Sequence, residues 1–191
     1  MRTDGLLGQA IDYALGGVHG VRPELLSRST PCRNWDLRML LCHLNESLAA
    51  LHEGIDAGYV GLEPGAEIAE PADDLAETFR YRAARLLGAW ARTHDRARPI
   101  AVGEYPVGTG LVAGAGAIEI AVHGWDISEA CGHHRPIPPG LAADLLDISP
   151  LLITESTRHA LFAVPVEVSP LAGPADRLVA FLGRTPHAFG S

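Results

Sequence analysis

Cysteine is scarce: Cys32, Cys42 and Cys131 are the only three in 191 residues, and no two of them form a C-x-x-C pair. An odd set at these spacings excludes a disulfide framework and an all-cysteine zinc site, and fits a reducing cytoplasm. Basic residues are outnumbered by acidic ones, 15 to 23, for a net charge of −8. Without a positive excess to neutralise phosphates, nucleic acid and anionic membranes are poor partners. No run approaches the roughly 18 uninterrupted apolar residues of a membrane span. The first twenty residues carry Asp4 and Asp12 and no apolar stretch with a basic flank, so a signal peptide is not expected. The G-x-S-x-G setting of a nucleophilic serine is missing around Ser29, Ser47 and Ser156. Gly108, Gly110 and Gly114 are spaced G-x-G-x-x-x-G and lack the strand and helix alternation of a dinucleotide site.

What is present is helical periodicity. The length points to one domain over residues 1–191, able to bury roughly 70% of its unfolded surface. Leu6, Leu7, Ala10, Ile11, Ala14, Leu15 and Val18 follow the i, i+3, i+4, i+7 rule of a first helix. Leu37, Leu40, Leu41, Leu44, Leu48 and Leu51 define a second, from about Asp36 to Asp56, with Asn34 as the expected N-cap. Residues 58–71 read as a surface loop. A third helix places Leu75, Phe79, Ala83, Leu86, Leu87 and Trp90 on its core face, with Arg80, Arg82, Arg85 and Arg92 solvated.

Ile100 to Gly110 is expected to cross the molecule in extended form, and a fourth helix to start near Leu111 and stop at Gly132. The fifth should span Pro139 to Phe162, bent or split at Pro150. Val164 to Val168 alternates like a strand, but Pro165 reduces it to an edge or an extended tail. A short helix from Pro174 to Leu182 ends at Gly183. Together these elements predict an all-α fold: an antiparallel four-helix bundle with an additional C-terminal helix and an extended tail.

The chemistry concentrates in the fourth helix. From Ala113 to Trp125, Glu119 and His123 are the only strongly polar side chains among small and apolar ones. Four residues of separation, about 400° of rotation, project both from one face a turn apart. A carboxylate in such surroundings needs a cation, a donor or a proton. A divalent metal would meet that need, with a third ligand from another helix, and His43 beside the Leu40/Leu44 stripe is the best placed candidate. The residues also allow a metal-free hydrogen-bonded Glu119–His123 pair with His43 at the bundle boundary.

Asp126 stands three residues beyond His123, in position either to accept from that imidazole or to face solvent at the helix end. Trp125 reads as ordinary core, Cys32 as a buried inert thiol, and Cys42 as rotated away from His43. His133 and His134, after the expected helix stop, read as solvent-facing.

Thr30-Pro31-Cys32-Arg33-Asn34-Trp35-Asp36-Leu37-Arg38, Leu41-Cys42-His43-Leu44, and Glu119-Ile120-Ala121-Val122-His123-Gly124-Trp125-Asp126 resemble the DinB-like metal-binding family that includes the mycothiol-dependent maleylpyruvate isomerases. The closing Phe181-Leu182-Gly183-Arg184-Thr185-Pro186 is similar too. The resemblance implies that His43, Glu119 and His123 are the three metal ligands, with zinc the usual metal, and that a low-molecular-weight thiol such as mycothiol is activated against an electrophilic substrate. Those isomerases carry a further C-terminal domain, whereas the sequence here stops at Ser191, so a substrate other than maleylpyruvate is expected.

Three functions follow. The first is a metal-dependent thiol transferase or isomerase, or a hydrolase if water takes the open position. The second is a non-catalytic bundle that binds a small ligand. The third is a biosynthetic enzyme with Glu119 as acid or base and no metal.

Overall fold

A computed structural model describes residues 5–61, 75–93, 98–155, 158 and 162–186. Helix α1 runs Leu6–Val18, α2 Leu37–Ala57, α3 Leu75–Arg92, α4 Thr109–Ala130, α5 Pro139–Leu152 and α6 Pro174–Phe181. A 3₁₀ turn occupies Pro23–Leu25. Helix α1 packs along α4 and α2 along α3, while contacts of α2 with α4 join the pairs and α6 lies on α5. The predicted bundle is therefore present. None of the described helices is long and apolar enough to cross a membrane.

The start of α2 departs from expectation. Asp36, not Asn34, is its N-cap, and the Asp36 carboxylate accepts the Met39 N–H at 2.8 Å. Asn34 instead takes a left-handed φ of 67° in the turn before it, a conformation that asparagine tolerates better than most residues. Helix α4 starts at Thr109, two residues before Leu111.

A small sheet includes the start of the expected 58–71 loop and folds the extended 100–110 segment into a hairpin. Strand β1 (Tyr59–Val60) pairs in parallel with β2 (Pro99–Val102), which pairs antiparallel with β3 (Tyr105–Gly108). Gly103, with φ of 58°, turns the β2–β3 hairpin. Of the expected 58–71 loop, residues 62–71 lie outside the described residues.

Helix α5 ends at Leu152, two residues beyond Pro150. Pro150 lies inside the helix, where it offers no N–H to the ladder, and the chain leaves helical geometry at Ile153. Of the rest of the predicted fifth helix, 156–157 and 159–161 lie outside the described residues. Val164 to Val168 takes the extended-tail form, unpaired in any sheet, with Val166 N–H bonded to Ala180 O.

Arg82 is not simply solvated. Its guanidinium donates to Asn45 O at 2.7 Å, and the buried Asn45 side chain donates to Leu75 O at 3.1 Å, so a polar strut ties α2 to α3.

Helix α4 is buried on nearly every side, and its small residues set how close the neighbouring helices come. A Cβ at Gly116 would lie 2.6 Å from Leu51 Cδ1 on α2, and one at Gly124 would lie 2.9 Å from Ala14 Cα on α1. On an exposed face, Gly→Ala would gain about 1 kcal/mol of helix propensity. At Gly124 the obstruction is backbone, which cannot swing aside. Gly124→Ala is expected to lose about 1–3 kcal/mol net, read as a lower urea midpoint with an unchanged slope.

Candidate metal centre

The site forms where the start of α2 meets the middle of α4. A short antiparallel bridge between Ser29 and Asp36 closes the loop before α2. Within it, Thr30 Oγ1 donates to Cys32 O at 3.1 Å and Trp35 O at 2.9 Å, and Trp35 N–H donates to Cys32 O. This bonding holds the Trp35 indole against the imidazoles, with ring centroids 4.8 Å from His43 and 6.1 Å from His123.

Two turns into α2, His43 points inward as its place beside the leucine stripe predicts. One donor atom each from His43, Glu119 and His123 lies within 4.8 Å of the others. Glu119 Oε1 is central, 2.5 Å from His43 Nε2 and 3.3 Å from His123 Nε2. The three differ in depth. The His43 side chain is 34% exposed, Glu119 24% and His123 5%, so the site opens at His43 and is closed at His123.

At the closed end, His123 Nδ1 donates to Asp126 Oδ2 at 2.9 Å. Asp126 is fully buried, which settles its role: it orients the imidazole and does not face solvent. Arg184 in turn donates to Asp126 through Nη2 at 2.8 Å and Nε at 3.3 Å. Neither Arg184 nor Trp35 was assigned a role by sequence reasoning. The available signals were an arginine directly after a helix-stopping glycine and a tryptophan just ahead of an N-cap.

Burial by itself would raise the carboxyl pKa of Glu119, yet hydrogen bonds from His123 and His43 outweigh it and hold the group far below the usual range. Burial also works against charge on His123. Its bonds to Asp126 and Glu119 prevail and push it up to about 9. In metal-free protein, a folded pKa above the unfolded value near 6.5 gives stability that is complete below that pH and lost as pH rises through about 9. Chelator-stripped protein should therefore melt at progressively lower temperature between those limits, as scanning calorimetry across the pH series would show.

The donor set fits a divalent ion. Two imidazoles and a carboxylate are the ligand types of an open zinc-like site, whose bonds of about 2.0–2.2 Å space the ligands by roughly 3.3 Å. The separations of the three donor atoms, from 2.5 Å up to 4.8 Å, bracket that spacing. Asp126 meets the common requirement that a ligating histidine donate its other N–H to a carboxylate. Among the described residues, no other group of three or more histidine, cysteine or acidic side chains is placed to share an ion.

The remaining candidates stay outside the cluster. Trp125 and Cys131 are buried, and none of the three cysteines is in a disulfide. Cys32 is half-buried, and burial raises its thiol pKa against the opposing pull of Arg184, which fits an inert thiol. Cys42 is exposed and contributes no donor to the triad. His133 and His134 are exposed beyond Gly132, with His134 Nδ1 3.0 Å from Glu129 Oε2.

The fold is similar to the crystal structure of the mycothiol-dependent maleylpyruvate isomerase, with a TM-score of 0.60 and 18% sequence identity over 76% of this chain. The match covers 66% of that protein, so this chain spans just under two thirds of its length. No curated protein matches the sequence. Residues 7–128, well over half of the chain, match the mycothiol maleylpyruvate isomerase N-terminal domain model, and the chain belongs to that family.

Proposed function

We propose that this protein is a metal-dependent enzyme of the mycothiol-dependent transferase and isomerase type, in which His43, Glu119 and His123 hold a divalent ion, zinc by preference. The observation that carries the reading is the convergence of three donor atoms from α2 and α4 within 4.8 Å. An ion held there supplies Lewis-acid activation, lowering the pKa of a thiol or water beside it so that a nucleophile is available at neutral pH.

The chain's own residues do the rest. With the ion in place, Asp126 would keep the single His123 proton on Nδ1 and so leave the Nε2 lone pair to the ion. Trp35 covers the imidazoles and limits water on that flank. His43, the most exposed of the three, marks the side from which a small molecule enters. The chemistry proposed is addition of a low-molecular-weight thiol, mycothiol in the family, to a small electrophile. It ends in S-transfer or, after the same thiol is eliminated, in cis–trans isomerisation. Cysteines outside disulfides fit a cytoplasmic setting.

The metal-free alternative, Glu119 as general base, is disfavoured by the same geometry. A base works best with a pKa near the operating pH, and two imidazoles hold Glu119 far below it. Cobalt substitution tests the proposal: the visible spectrum should change on adding mycothiol or azide. A cobalt spectrum that neither reagent alters would mean a saturated ion and would support a non-catalytic ligand-binding bundle instead.

A further inference from the structure

Helix α6 is stopped by a left-handed glycine, and that stop aims an arginine. Gly183 has φ of 82°. Its N–H donates to Ala180 O at 3.0 Å, and the Arg184 N–H donates to Val179 O at 2.9 Å. These are the paired closing bonds of a Schellman motif. A Cβ at 183 would stand 2.7 Å from Ala163 Cβ and 2.8 Å from its carbonyl oxygen, so glycine alone carries the chain through this turn.

The next side chain is thereby returned to α4. Arg184 grips both Asp126 oxygens, is tied by Nη1 to Leu182 O at 2.8 Å, and lies 5.8 Å from the centre of the Phe162 ring. Asp126 Oδ2 is shared, because it also accepts from His123 Nδ1. A carboxylate gripped through both oxygens cannot rotate, so its acceptor direction toward Nδ1 is fixed. When a divalent ion takes the place of the Nε2 proton, donation from Nδ1 would keep the single proton of neutral imidazole there and turn the Nε2 lone pair to the ion.

We propose that Arg184 is a positioning residue: by clamping Asp126 it fixes the ring orientation and tautomer of His123, so that a segment 61 residues further along the chain sets the affinity of the triad for a divalent ion. The proposal rests on the metal reading given above. It differs from a purely structural role, which would lower the melting temperature of metal-free protein and leave metal affinity alone.

The test uses the full chain as wild type, Arg184→Met and Arg184→Lys. Each is titrated with Co²⁺ against a competing chelator, with the visible spectrum and the metal-free melting temperature recorded in parallel. Arg184→Met should bind Co²⁺ about 10–100-fold more weakly, the range typical for loss of a partner that orients a ligand. Arg184→Lys keeps the charge but not the two-pronged grip, and should still weaken binding severalfold and shift the cobalt bands. If the methionine variant does not fold, the lysine variant carries the test. Unchanged affinity and spectrum in a folded variant, whatever its melting temperature, would overturn the proposal alone. A wild-type chain that takes up no cobalt would overturn the metal reading and the proposal with it.

Discussion

Protein purified without chelator should carry close to one divalent ion per chain, and His123→Ala should lower metal affinity by well over a hundredfold. His123 lies at the closed end of the site, its ring held on one side by Asp126 and facing Glu119 on the other. Loss of a group that merely orients a ligand costs about 10–100-fold, and removing the ligand itself should exceed that. His43→Ala should act in the same direction with a gentler effect on folding, because its side chain is one third exposed. Elemental analysis and chelator competition supply the measurement. Full metal occupancy in both variants would mean that the ion is held elsewhere. Metal removal should also lower the melting temperature of the wild type, since a ligand at about 100 times its Kd stabilises the folded state by roughly 2.7 kcal/mol.

The second large effect is expected at Asp126. Asp126→Ala strands Arg184, which is only 5% exposed, without its carboxylate. Breaking a buried pair from one side costs about 3–5 kcal/mol, because the remaining charge is left uncompensated in a dry setting. At about 2–4 °C per kcal/mol for a chain of this size, the melting temperature should fall by about 10 °C. The double variant Asp126→Ala/Arg184→Met removes both charges and should be more stable than the sum of the single losses predicts. Strict additivity in calorimetry would show that the two side chains do not act as a pair.

The candidate ligands were legible because α4 isolates them. Glu119 and His123 stand one turn apart in a segment otherwise made of small and apolar side chains, and a buried carboxylate there requires compensation. His43 could be nominated because its neighbours Leu40 and Leu44 mark the inward stripe of α2. Asp126 was visible only as an alternative, since its position three residues after His123 suits either a hydrogen bond or a solvated helix end. Complete burial decides between them.

Other elements could not be read locally. The sequence points to Asn34 as the cap of α2, whereas Asp36, bridged across the turn to Ser29, is the residue that caps it. The pairing of Tyr59–Val60 with Pro99–Val102 joins segments about 40 residues apart, so neither segment alone reveals it. Arg82 lies on what looks like a solvated face, yet a carbonyl of α2 is within its reach.

By itself, the sequence located the helices to within their ends, the candidate donors and the spacing of two of them on α4, because helical periodicity and the cost of burying charge act over a few residues. The tertiary structure alone decided which oxygen His123 bonds, what holds that oxygen, and that Trp35 lies over the imidazoles. Those outcomes depend on how closely α1 and α2 approach the small residues of α4 and on where the stop of α6 sends Arg184. They are matters of packing distance and direction between segments remote along the chain, which no local pattern of side chains encodes.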